Sequence, residues 1–153
     1  MPRHAASIFM GTTEIPTHRT IAEVQGVLVK SGAKQIAQDY GEGGLITGMK
    51  FAIVIDGGTW VHFDLPVRCD KVFTLLQDQR KRQREKHVDA DRKTAERVAW
   101  RQLLRWIEAQ MALVDLGMAK AHEVFMPYAL DQNGRTMFSL WNSRLALPAP
   151  KEK

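Results

Sequence analysis

One cysteine, Cys69, stands in 153 residues. That scarcity excludes an internal disulfide and any zinc site built on several thiolates. A reducing cytoplasm fits such a chain best, with Cys69 as a small core residue. Long apolar runs are equally scarce. No window approaches the roughly 20 apolar residues that a spanning helix needs. The stretch "AASIFMG" (5–11) is bracketed by His4 and "TTEIPTHR" and is too short for the apolar region of a secretion signal. The expectation is a cytoplasmic protein with no membrane segment.

Catalytic punctuation is missing too. There is no Gly-x-Ser-x-Gly elbow, and "GEGG" (41–44) lacks the Gly-Lys-Ser/Thr ending and following helix of a phosphate loop. Asp39 and Asp64 are too few carboxylates for a metal nuclease. Cys69 sits beside Arg68 at an expected helix start with no base partner in view. Neither catalysis nor a cofactor is expected.

What is present is an ordinary globular balance, 44% apolar and 25% charged, enough for one core of useful size. Twenty-two Lys and Arg against seventeen Asp and Glu leave a formal charge of +5. That permits association with polyanions without demanding it. The chain reads as an N-terminal arm (1–19), a single domain (20–145) and a loose tail, "ALPAPKEK" (146–153).

The first helix signal is "TIAE". Thr20 as N-cap and Glu23 three residues on make a capping box, with Ile21, Val24, Val27 and Leu28 at helical spacing and Gly32 as terminator. From Lys34 to Leu65 the period shortens to two, with "GEGG" and "DGG" (56–58) as chain reversals. Three antiparallel strands follow. A two-residue turn would split the apolar faces of "MKFAIVI" and "TWVHFDL". A three-residue loop at 56–58 pairs Ile53 with Val61 and Phe51 with Phe63. That register sets Lys50 opposite Asp64, Ala52 opposite His62 and Val54 opposite Trp60 on the second face. Trp60 and His62 beside Lys50 suit either a stacking platform for unpaired bases or plain cross-strand packing.

After Pro66, the residues Val67, Val72, Phe73, Leu75 and Leu76 predict an amphipathic helix to about Gln83. The α-β-β-β-α order is that of double-stranded RNA-binding domains. The lysine-rich second helix and the Gly-Pro-x-His loop of that family are absent, so the likeness is declined. The helix ends in Arg80, Lys81, Arg82, Arg84 and Lys86, opposed only by Glu85. Cations are favoured at a helix C-terminus, so a solvated helix end and a phosphate-binding strip both account for them. "HVDAD" (87–91) offers His87, Asp89 and Asp91, better suited to capping the next helix than to holding a metal. His122 and Glu123 are not placed near His87 by anything in the sequence.

A long helix from about Arg92 to Leu116 carries a broad apolar stripe of Trp100, Leu103, Leu104, Ile107, Met111 and Val114, widened by Trp106 and Leu113. A stripe that wide is meant to be covered from more than one side. Trp100, Leu103, Trp106 and Met111 are therefore candidate core and candidate interface to a protein partner or a second copy. Arg97, Arg101 and Arg105 stand about one turn apart on the remaining face, where they fit either a phosphate backbone or a solubilising surface. Beyond Gly117, Val124, Phe125 and Tyr128 predict a short return helix. "DQNG" marks a turn, and Met137, Phe138, Leu140 and Trp141 a docked terminal segment.

The run "KTAERVAWRQLLRWIEAQMALVDLGMAKAHEVFMPYAL", with "TIAEVQGVLVKSGAKQI" and "HFDLPV", resembles a group of small proteins encoded by bacteriophages and prophages. The resemblance covers about residues 15–130. It implies a mobile-element setting and no activity, so it assigns no residue a role. The fold expected is α+β: α-β-β-β-α with a three-stranded antiparallel sheet, extended by a long C-terminal helix and a short return helix. The function expected is a non-enzymatic accessory protein that associates with nucleic acid through Arg80, Lys81, Arg82, Arg84, Lys86, Arg97, Arg101 and Arg105. The alternative is a module that binds a host or phage protein through the long helix.

Overall fold

A computed structural model of the chain describes residues 8–83 and 90–145. It is α+β, in the expected order. Helix α1 (Thr17–Lys30) leads into strands β1 (Gln35–Tyr40), β2 (Ile46–Ile55) and β3 (Thr59–Asp64). Then come α2 (Cys69–Gln83), α3 (Arg92–Asp115), the single turn α4 (Ala121–Val124) and α5 (Met137–Leu145). The sheet is open and antiparallel, in the order β1-β2-β3. Among the described residues no helix is long and apolar enough to cross a membrane.

The β2–β3 hairpin has the register that the apolar pattern demands, Ile53 opposite Val61 and Phe51 opposite Phe63. Its loop is the three residues Asp56–Gly58, and both glycines are left-handed, at φ 82° and 80°. A side chain with a Cβ is strained there, so the two glycines fix the reversal.

Met49, Phe51, Ile53 and Phe63 form the buried face of the sheet. Phe51 and Phe63 stack at 5.0 Å, and Phe125 meets both edge-on at 5.3 and 6.1 Å. One apolar cluster joins this face to Val24 and Leu28 of α1, Val72 and Leu76 of α2, and Val98, Trp100, Leu104 and Ile107 of α3. Both α1 and α2 pack on α3, which is the two-sided cover its wide stripe requires. Chain ends and turns supply the rest: Asp91 N-caps α3, and a left-handed Gly117 follows its end.

Two local expectations are corrected. Helix α1 starts at Thr17 rather than Thr20, because the carbonyl of Pro16 already accepts from the N–H groups of Arg19 and Thr20. Thr20 is then fully buried inside the helix, and Glu23 is released from any capping box. The C-terminal segment is a helix set against the 126–128 turn with Leu140 half-buried, but Met137, Phe138 and Trp141 stand exposed.

Candidate nucleic-acid interface

The last turn of α2 carries Arg80, Lys81 and Arg82, all exposed. None of them makes an ion pair among the described residues. Cations are favoured towards the C-terminal end of a helix by its dipole, and the heads of these three stand in water. Arg84 and Lys86, which follow in sequence, lie outside the described residues, as do His87 and Asp89.

The α3 arginines do not form the exposed line that their spacing suggests. Arg97 is half-buried and donates from one terminal nitrogen to Thr94 Oγ1 at 3.0 Å. Arg101 is 4% exposed and donates to Glu23 Oε2 at 2.9 Å. Helix α1 lies over that side of α3, so Arg101 ties two helices together and is not available to a phosphate. Arg105 is half-exposed and paired with Glu108 at 2.8 Å. At the start of the helix Arg92 reaches Asp70 at 3.3 Å and lies 4.5 Å over the Phe73 ring.

The outer face of the sheet is equally spoken for. Trp60 and His62 are exposed, as a stacking platform needs. Lys50, however, donates to Asp39, and that bond, with Asp64 nearby, holds its ammonium above the ordinary pKa. Asp39 and Asp64 offset the Lys50 charge, which removes the cation that a stacking platform would use.

Of the candidate interface residues, Trp100, Leu103 and Met111 are buried in the chain's own core. Trp106 sits at the core's edge, edge-on to Phe125 at 5.6 Å and to Tyr128 at 5.5 Å. The return segment thus occupies the side of α3 that a partner was expected to cover.

Other chemistry finds little purchase. The Cys69 thiol is half-buried beside Ile46, and burial, reinforced by Glu96 and Asp70, pushes its pKa up to about 11. A thiol so protonated is a poor nucleophile at neutral pH. It lines a cavity of about 330 Å³ whose charged residues are Glu42, Asp70, Glu96 and Arg92. Asp91 spends its carboxylate on the Thr94 N–H at 2.6 Å, and Glu123 accepts from the Lys120 N–H at 3.1 Å. Among the described residues no three His, Cys, Asp or Glu side chains are grouped to hold a metal.

Sequence reading missed one structural hub. The Ile46 N–H donates to Glu96 Oε2 at 2.7 Å, and its carbonyl accepts from Trp100 Nε1 at 2.8 Å. The signal was there in the spacing: Glu96 lies four residues before Trp100 on the apolar side of α3, where a carboxylate needs a buried donor.

The fold is α+β, and three consecutive exposed cations without an ion pair among the described residues stand at the end of α2. No family model, curated protein or solved structure matches the chain.

Proposed function

We propose that the protein associates with nucleic acid through the basic end of α2, as a non-enzymatic accessory protein of a phage or prophage. One observation carries the reading. Arg80, Lys81 and Arg82 are consecutive, exposed and without an ion pair among the described residues, whereas the other exposed lysines without one, such as Lys30, Lys34, Lys71 and Lys93, are scattered along the chain, and Lys50, Arg92, Arg101 and Arg105 each have a carboxylate partner. Arg84 and Lys86 extend the same run to five cations in seven residues.

The affinity this implies is electrostatic and indifferent to sequence. Five phosphate contacts give a slope of log K against log salt of about −4.5 on duplex DNA, with dissociation constants in the range of 10⁻⁴–10⁻⁶ M. The test is an anisotropy titration of labelled single- and double-stranded oligonucleotides at several salt concentrations. Replacing Arg80, Lys81 and Arg82 with Gln lowers the slope by about 3, whereas Arg101→Met leaves the isotherm where it was. No binding at about 100 µM protein in low salt overturns the reading, since that concentration reaches into the nonspecific range.

A further inference from the structure

Helix α5 turns its apolar side outward. Met137, Phe138, Trp141 and Leu145 are 44%, 55%, 60% and 56% exposed. At 100° per residue they fall within a single 100° arc. Ser139, Asn142 and Ser143 lie outside it, and Arg144, the only charged residue of the helix, stands at its flank. The helix rests on the Met126–Tyr128 turn, whose Met126 is also exposed. These five exposed side chains lie on two neighbouring elements, α5 and the 126–128 turn.

We propose that α5 is the contact through which two copies of this chain pair about a two-fold axis. Met137, Trp141 and Leu145 form an i, i+4, i+8 ridge that is symmetric about Trp141. A two-fold operator that lays α5 on an antiparallel mate therefore sets Met137 against Leu145 of the second copy, with the two Trp141 rings at the crossing point. Such a contact buries no charge, because the arc contains none. The area also fits. Half-exposed side chains of this size leave on the order of 100 Å² each, so two copies bury on the order of 1,000 Å² together, at the lower end of specific interfaces. The dimer is accordingly concentration-dependent. Its salt response is opposite to that of nucleic-acid binding, since salt screens the repulsion between two chains of charge +5.

Sedimentation equilibrium of the full chain, from about 1 to 200 µM, tests this by following the monomer–dimer balance. The dimer fraction rises across that range and is higher in about 500 mM salt than in about 100 mM. Trp141→Asp and Phe138→Ser each weaken pairing by roughly tenfold or more, while the thermal midpoint of the dilute chain stays in place because these side chains are outside the core. A chain that remains monomeric at about 200 µM overturns the proposal, as does a dimer that both substitutions leave unchanged. Truncation after Leu145 separates the remaining occupant, the chain's own last eight residues. A truncated chain that dimerises where the full chain does not shows that the tail covers this face, and that also overturns the proposal.

Discussion

Arg101 and Glu23 form an ion pair of unequal halves, and removing the two halves should have unequal effects. The guanidinium side chain is 5% exposed and the carboxylate 39%. Arg101 Nε is buried with no hydrogen-bond partner among the described residues, so the cation has been taken out of water with incomplete compensation. Deleting the carboxylate strands a buried charge, which costs about 3–5 kcal/mol when the whole pair is buried. Glu23 opens to water on one side and keeps only a loose 3.7 Å contact with Arg19. Water then reaches part of the stranded charge, and the expected loss for Glu23→Ala falls to about 2 kcal/mol. Arg101→Met keeps the aliphatic stem and removes both the charge and the unbonded nitrogen. Its expected effect is within about 1 kcal/mol of zero. Urea unfolding at a fixed pH measures both, and the double substitution should match Arg101→Met, because Glu23 has nothing left to neutralise. If Arg101→Met destabilises more than Glu23→Ala does, or if it weakens oligonucleotide binding, the assignment of Arg101 to the α1–α3 contact is refuted.

Trp106→Ala removes a half-buried ring that meets Phe125 and Tyr128 within the same chain. The expected loss is about 2 kcal/mol, below the 3–5 of a fully buried aromatic, and equal at low and high protein concentration. A concentration-dependent loss would move Trp106 to an interface. Asp91→Ala removes the N-cap of α3 and costs about 1 kcal/mol at neutral pH. The Thr94 N–H bond holds the Asp91 carboxyl below its ordinary pKa in the folded chain. Its stabilising contribution is therefore present above the unfolded carboxylate value and is lost as pH falls through the depressed one. The difference in thermal midpoint between the two chains should shrink below about pH 4, and a difference constant down to about pH 2 would contradict the role.

The parts of the fold that sequence reveals are those fixed by local periodicity. The Asp56–Gly58 loop follows from the need for Phe51 to meet Phe63 and Ile53 to meet Val61, a constraint that spans twelve residues or fewer. The width of the α3 stripe likewise announced cover on two sides. What stayed hidden depends on distant partners. Arg101 looks solvated on a helical wheel, because the wheel contains neither α1 nor Glu23, 78 residues away. Thr20 and Glu23 have the spacing of a capping box, but Pro16 starts the helix a turn earlier. Met137, Phe138 and Trp141 have the composition of a docked segment. The core they would have joined is instead completed by Phe125, which is fully buried. Of the basic run, position at a helix end was legible, and so were the cations themselves. Which arginines remain unpaired was not, since pairing is settled by tertiary contact.

Ile46 is bonded to Glu96 and Trp100 across 50 and 54 residues. That reach bears on how the protein is made. A ribosome delivers roughly 5–20 residues per second, so seconds pass between the exit of Phe63 and that of Met111. During that interval α1 and the three strands are all available and can pair among themselves. The long helix that covers Leu28, Phe51 and Phe63 is not yet there, and neither are the two side chains that clamp the first hairpin. Closing such distant contacts is slow compared with forming the hairpins. Until α3 emerges, the apolar side of the sheet lacks its cover, and that interval is when the chain is most open to meeting its own kind.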